Sequence, residues 1–458
     1  PVREEGMTPY EILLSESQER MLVVAKQGRE GEVKAILEKW DLTAAVIGEV
    51  IAEPVYRVTE GDRVVAEFPG IRLVTDCPMY TPEARESAEI AALRARDVDA
   101  IRDRDEESDP AWTLLQLLSS PTIAAKTWVH RQYDTTVRTN TVIGPGGDAA
   151  VIRIRGTDRA LACKTDCNGR YVYLEPRVGA RIAVAEAARN VACTGARPMA
   201  ITNNLNFGNP RRPEVYYQLR EAVRGMGEAC EVLETPVTGG NVSLYNENPQ
   251  GAVYPTPVIG MIGLIDSVEH ITRAPFQNER DVVILLGEPT SELGGSEYLS
   301  RIHGIVAGPP PSCDLDAERA LIDTLLESIQ SGVVRSAHDC SDGGLAVALA
   351  ECCVMDRGAQ RGAMIDLTHW KDLSSRAVLF GEAQGRAIVT ATIADTVLEI
   401  ANEHNVPARI IGEVGALGAP LQINTATSHL LVPLAQLDEA YHEAIPRIMN
   451  QPAIAGSQ

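Results

Sequence analysis

A mixed chain of α+β and α/β parts, built from repeated units, is predicted by three observations. The two ends of the sequence echo one another, the middle alternates strand-like and helical segments, and an apolar strand-then-helix pattern leads into the second copy of the echo.

The echo begins at Glu16-Ser17-Gln18-Glu19-Arg20, continues through a helical stretch at 32–38, and reaches the apolar run 44–50 with Ile47-Gly48-Glu49-Val50. Near the end, Glu382-Ala383-Gln384-Gly385-Arg386 leads through helical 397–401 to Ile411-Gly412-Glu413-Val414 at almost the same spacing. A repeat at this distance signals two copies of a domain, because solenoid periods are far shorter. The strand-like run 282–287 and a long helix precede the second copy. The first copy starts almost at its Glu-x-Gln-x-Arg element, so the chain is expected to begin inside a domain.

Between the copies, residues 76–125 read as a linker with its own helix at 83–100, and the charge run 102–107 as a solvated face. From 129 to 268 strands are expected at 149–154, 160–164, 235–238 and 258–265. An Ala-rich helix at 180–193 is closed by Gly195. A further helix starts at Pro213 and carries Val215, Leu219, Met226, Cys230 and Leu233 on one side.

At 458 residues, with 45% hydrophobic and 23% charged residues, several globular domains are expected. The net charge of −21 disfavours nucleic acid and anionic membrane as partners, and 4% aromatics supply little stacking surface. The longest apolar stretch, 251–265, is broken by Pro255 and Pro257, so no membrane span is expected. No signal peptide is visible at the start, and nine scattered cysteines point to a reducing cytoplasm. Cys163 and Cys167 lack a second pair at zinc spacing and read as packed thiols.

Four polar segments can carry chemistry. Thr238-Gly239-Gly240-Asn241-Val242-Ser243 follows a short apolar run; its glycines let a backbone approach phosphate, Asn241 can ligate Mg²⁺ without adding charge, and Ser243 can donate to a substrate oxygen. A plain turn is the commoner meaning of such a triplet. The Asn-rich loop expected around Asn203, Asn204, Asn206 and Asn209 suits a nucleotide or, equally, a set of Asx turns. Lys164-Thr165-Asp166-Cys167-Asn168-Gly169-Arg170 is either catalytic or an exposed ion-paired loop. In His338-Asp339-Cys340-Ser341-Asp342, Asp342 reads as a helix N-cap and Asp339 as a possible Mg²⁺ ligand.

Together, Glu16-Ser17-Gln18, Asp166-Cys167-Asn168-Gly169-Arg170-Tyr171, Asn204-Leu205-Asn206-Phe207-Gly208-Asn209-Pro210, Gly239–Tyr245 and His338–Leu345 occur in an order that resembles the synthetase subunit of phosphoribosylformylglycinamidine synthase. The resemblance covers nearly the whole chain. It implies a tandem aminoimidazole-ribonucleotide-synthetase-like architecture, in which an ATP-binding α+β domain is followed by an α/β C-terminal domain. On that scheme residues 1–75 are the remainder of a first C-terminal-type domain and 76–125 the linker. A second ATP-binding-type domain occupies 126–272, a second C-terminal-type domain 273–443, and a tail 444–458.

The resemblance further implies that ATP phosphorylates the formamide oxygen of formylglycinamide ribonucleotide, and that ammonia from a glutaminase subunit displaces the phosphate in a cytoplasmic complex with a small accessory subunit. Glu16, Ser17, Gln18 and Ser243 are then substrate contacts, Gly240 an ATP contact and Asn241 a Mg²⁺ ligand. Asn203 stands where the family commonly has an ATP-contacting Asp; an amide can hydrogen-bond a nucleotide but adds no charge. The family's catalytic histidines lie in an upstream domain, so no catalytic residue is assigned here and the chain alone is expected to be inactive. Two alternatives stay open. One is a non-catalytic nucleotide-binding module centred on Lys164, Asp166 and Asp339. The other is an ATP-using superfamily enzyme with one unit, such as an aminoimidazole ribonucleotide or selenophosphate synthetase relative.

Overall fold

The computed structural model of the chain describes residues 2, 4–16, 20–102 and 109–450. Ser17, Gln18, most of the charge run and the last eight residues of the tail lie outside them. Two compact units are present, residues 1–81 and 82–458.

In the first unit, α1 (Pro9–Leu14) opens with a capping box. Glu11 N–H donates to the Thr8 hydroxyl at 3.3 Å, and Thr8 N–H donates to the Glu11 carboxylate at 2.8 Å. Helix α2 (Glu30–Glu38) is followed by an antiparallel hairpin of β1 (Val55–Glu60) and β2 (Arg63–Pro69). The strand expected at 44–50 does not form, and Val46, Ile47 and Val50 are exposed. A strand needs a neighbour for its backbone N–H and C=O groups, and among the described residues of this unit none pairs with 44–50.

The second unit begins with α3 (Ala88–Arg94), α4 (Pro110–Leu118) and α5 (Thr127–His130). Its first layer contains β3 (Thr141–Ile143), β4 (Ala150–Arg153), β5 (Ala160–Asp166), α6 (Gly169–Leu174), α7 (Pro176–Cys193), β6 (Arg197–Asn206), α8 (Pro213–Val232), β7 (Val237–Ser243), the short pair β8 (Glu247–Asn248) and β9 (Gly251–Ala252), and β10 (Thr256–Ile265). Six of these strands form one sheet in the order β3-β4-β5-β10-β6-β7, leaving β7 at its edge. Period-two alternation places Val151, Ala162, Ile201, Leu205, Ile259 and Met261 in the core with α7 and α8, and leaves Ile152, Cys163 and Ile262 on the open side. Cys163 is thus exposed rather than packed. Helices α7 and α8 pass so closely that a Cβ on Gly225 would lie 2.1 Å from the Arg177 carbonyl oxygen.

The second layer adds β11 (Val282–Leu286), α9 (Glu297–His303), α10 (Leu315–Gln330), β12 (Val334–Asp339), α11 (Gly344–Val354), β13 (Arg361–Asp366), α12 (Ser375–Phe380), β14 (Ala387–Ala391), α13 (Ala394–Glu403), β15 (Ala408–Leu417), β16 (Leu421–Asn424), β17 (His429–Val432) and α14 (Leu434–Met449). Its seven strands run in the order β12-β14-β11-β15-β13-β16-β17. The continuous apolar run of β11 reflects burial on both faces. Ile284 and Leu286 share a core with α7 and α10, while Val283 and Leu285 share one with α11 and α14. Strand β15, the echo of 44–50, is held between β11 and β13, which is the support its counterpart lacks.

Residues read as linker also enter this core. Leu114, Leu117 and Leu118 of α4 are fully buried beside residues of α9, α11 and α14. Among the described residues, no helix is long and apolar enough to cross a membrane.

Candidate functional site

The segments expected as an Asn-rich loop and a Gly-rich loop are instead neighbouring strands. Asn and Gly have low strand propensity, which is why they read as turns, but packing of Ile201 and Leu205 against α7 and α8 overrides it. Strands β6 and β7 pair in parallel, setting Asn203 opposite Gly240, Asn204 opposite Asn241 and Asn206 opposite Ser243. Residues far apart in sequence thus meet at one sheet edge, where β7 has no second strand partner among the described residues.

The register contains one irregularity. Ile201 pairs with Val237 but Thr202 with Gly239, so Thr238 is an extra residue, and its hydroxyl donates to the Ile201 carbonyl at 3.1 Å. Beyond this bulge the pleat alternates. Asn203 and Gly240 lie on the helix-packed side, Asn241 and Ser243 on the open side with Asn204 and Asn206. A Cβ on Gly240 would stand 2.1 Å from Asn203 Oδ1 and 2.7 Å from its carbonyl oxygen, so the bare glycine accommodates the Asn203 amide. Asn241 Nδ2 donates to Asn204 Oδ1 at 3.1 Å, and the Ser243 hydroxyl lies 3.2 Å from Asn246 Oδ1.

This edge fits a divalent cation only as a partial shell. Among the described residues no group of three or more His, Cys, Asp or Glu side chains is placed to hold a metal. Asn241 Oδ1 offers one neutral, hard oxygen at an exposed position. Mg²⁺ commonly takes few protein ligands and fills the rest with water and phosphate oxygens. Of the other nominated residues, Glu16 is an exposed residue of the first unit.

A second cluster lies deep in the larger unit. Arg189 of α7 is fully buried; its Nε donates to Asp339 Oδ1 at 2.7 Å, its Nη1 to Glu318 Oε1 at 2.7 Å and its Nη2 to Gln384 Oε1 at 3.1 Å. Asn190 Nδ2 reaches Asp339 at 3.3 Å and Asp166 at 3.4 Å, and Lys164 Nζ lies 3.9 Å from Asp166. The Lys164–Arg170 segment is therefore half-buried, with only Thr165 exposed, rather than an exposed ion-paired loop. Asp339, read as a possible Mg²⁺ ligand, is already engaged by Arg189 and Asn190.

Beside it, Glu382 accepts from Tyr171 O–H, from Glu297 N–H at 2.8 Å and from Gly343 N–H at 2.7 Å. Arg170 pairs with Glu297 at 2.7 Å. Asp342 does not cap α11; it accepts from Asn168 Nδ2 at 3.0 Å, and Gly343, at φ +82°, occupies the cap. His338 Nδ1 faces Asp148 at 3.0 Å and its Nε2 faces Glu351 at 3.2 Å.

Burial dominates the electrostatics. It raises Asp166 to about 6, with Lys164 opposing and Asp339 reinforcing the shift. It raises Glu382 to about 8, with Asp342 adding to the effect and Arg170 opposing it. Burial alone would depress His338, but Asp148 and Glu351 outweigh it and hold the imidazole well above its usual range. Both Glu382 and His338 keep a proton in the folded state over a pH range where the unfolded chain has lost it. Their contribution is complete in acid and is lost as pH rises through the folded values. The melting temperature is expected to fall as pH rises from about 4.5 to about 8, and Glu382→Gln, a mimic of the neutral carboxyl, to flatten that slope. An unchanged slope in the variant overturns the assignment to Glu382.

Arg189, Glu186, Glu318 and Asp148 escaped notice in the sequence, and Gln384 was read only as part of the echo. The available signal was Glu186 and Arg189 inside an otherwise Ala-rich helix, since charges in a helix buried nearly all round require internal partners.

Comparison with known proteins adds an independent line. The N-terminal domain of AIR synthase related proteins matches residues 146–265, and their C-terminal domain matches twice, over 1–61 and 279–419. Subunit PurL of phosphoribosylformylglycinamidine synthase from Moorella thermoacetica is 49% identical over 451 residues, covering 98% of this chain and 60% of that protein. Two solved structures from Thermotoga maritima are similar over 91% of this chain and 58% of theirs: PurL complexed with ATP, at 26% identity and TM-score 0.60, and PurLQS, at 25% and 0.61. The chain thus spans about 60% of the length of the curated relatives it matches.

Proposed function

The chain belongs to the AIR synthase related family and over nearly its whole length resembles subunit PurL, and from that premise we propose that it serves in ATP-dependent conversion of formylglycinamide ribonucleotide to the amidine. Two matches to one C-terminal domain agree with the echo and weigh against a single-unit enzyme of the superfamily. In this proposal Gly240 and Asn203 contact ATP, Asn241 gives one oxygen to Mg²⁺, and Ser243, Glu16, Ser17 and Gln18 contact the substrate. A glutaminase subunit delivers ammonia, a small accessory subunit completes the complex, and the reaction is cytoplasmic.

The observation that carries the proposal is the parallel pairing of β6 and β7, which gathers Asn203, Gly240, Asn241 and Ser243 at one edge. A ligand touching both pairs straddles β7. Phosphoryl transfer demands little covalent work from a protein beyond holding the two substrates and offsetting charge on the moving group. Backbone N–H groups and neutral amides at a sheet edge suit that task. A nucleotide in the buried cluster is the weaker alternative, because the partners it needs are already bound to one another.

The test is thermal unfolding of the purified polypeptide with and without Mg²⁺-ATP. Protection by ATP is expected, and Asn241→Ala is expected to remove it. Protection that survives Asn241→Ala but is lost in Asp166→Asn points to the buried cluster instead. None of the assigned residues moves a proton, so these 458 residues alone are expected to leave the substrate unconverted. Amidine formation by the purified polypeptide supplied with ATP, Mg²⁺ and ammonia contradicts that part.

A further inference from the structure

The proposed role of Asn241 depends on which end of its amide faces outward. Oxygen and NH₂ are nearly identical in shape, and only hydrogen-bond partners decide between them. An outward oxygen attracts a cation, whereas an outward NH₂ repels one. Asn241 Nδ2 has one acceptor in the structure, Asn204 Oδ1 at 3.1 Å, from the residue directly opposite in the β6–β7 ladder. No hydrogen bond engages Asn241 Oδ1 among the described residues. The strands that carry the pair are tied together on either side of it: Asn206 Nδ2 donates to the backbone carbonyls of Asn204 at 3.1 Å and Thr256 at 3.2 Å, and the Thr202 hydroxyl donates to the Gly239 carbonyl at 3.2 Å.

We propose that Asn204 is a positioning residue for divalent-cation binding: by accepting from Asn241 Nδ2, it turns Asn241 Oδ1 outward as the cation's oxygen ligand. This rests on the site assigned above and adds to it a residue that touches neither nucleotide nor metal. Deleting the acceptor leaves the Asn241 amide free to rotate, so part of its population presents NH₂ to the cation. Loss of such an outer partner commonly lowers metal affinity about tenfold or more. A carboxylate at 204 still accepts the same N–H and preserves the orientation.

The test measures Mn²⁺ binding in the presence of ATP, from the electron paramagnetic resonance signal of the free ion, using the protein as encoded. Asn204→Ala is expected to weaken Mn²⁺ binding about tenfold, with the melting temperature of the metal-free protein unchanged because the residue is exposed. Asn204→Asp is expected to bind at least as well as the parent. Asn204→Asp/Asn241→Ala is expected to bind as weakly as Asn241→Ala, which separates orientation of Asn241 from direct ligation by the new carboxylate. Parental affinity in Asn204→Ala alongside weak binding in Asn241→Ala overturns the role of Asn204 alone. Parental affinity in Asn241→Ala overturns the cation site itself.

Discussion

Arg189→Ala is expected to destabilise the second unit by about 3–5 kcal/mol, the usual consequence of breaking a buried ion pair from one side. The guanidinium is the shared partner of Asp339 and Glu318, whose side chains are 2% and 1% exposed. Its removal leaves two carboxylates without their cation in a place water reaches poorly, Asp339 keeping only the Asn190 amide, and each must either stay charged at high cost or take up a proton. Loss of volume is a secondary effect, so Arg189→Met is expected to be nearly as harmful. The triple change Arg189→Met/Asp339→Asn/Glu318→Gln removes the stranded charges and is expected to recover much of the stability. Urea unfolding followed by circular dichroism reads all three, and a change below about 1 kcal/mol in Arg189→Ala refutes the account.

If the chain serves in amidine formation as proposed, Gly240→Ala is expected to cost about a hundredfold or more in that activity in the assembled complex, with a smaller effect on stability. The added Cβ meets the Asn203 side chain and, at 2.7 Å, the Asn203 carbonyl oxygen, so rotating the amide away is not enough and β7 must shift from β6. A displacement of this kind moves Asn241 and Ser243 together, while the edge position limits what the rest of the fold loses. Gly239→Ala is the control. Nothing lies within 4 Å of its added Cβ, and its ATP protection is expected to match that of the parent. Equal loss in both variants excludes the clash with Asn203 as the cause.

The tandem organisation was legible because Glu-x-Gln-x-Arg and Ile-Gly-Glu-Val recur at matching spacing, and the C-terminal domain matches both regions. Residues 44–50 show the limit of that inference. The same pattern forms β15 when β11 and β13 flank it, but not without such neighbours, since strand formation depends on residues distant in sequence. Asn203, Gly240, Asn241 and Ser243 stood out in the sequence as a polar set but not as strands, because their local preferences favour turns. The linker assignment missed α4 for a similar reason. A neighbouring charge run masked a short apolar face whose leucines enter the core. The Arg189 cluster was least accessible, as it joins residues from α7, α10, β12 and the segment before β14 that no local pattern connects.

Thr238 gives the edge a further property. By occupying a place in β7 with no counterpart in β6, it sets the phase of every residue that follows. A regular ladder of the same sequence, with Thr238 opposite Thr202 and no bulge, inverts the assignment of sides: Asn241 and Ser243 turn toward the helices, and Gly240 faces outward. Whether Thr238 bulges out or pairs is therefore a chemical variable in its own right, as consequential as side-chain identity.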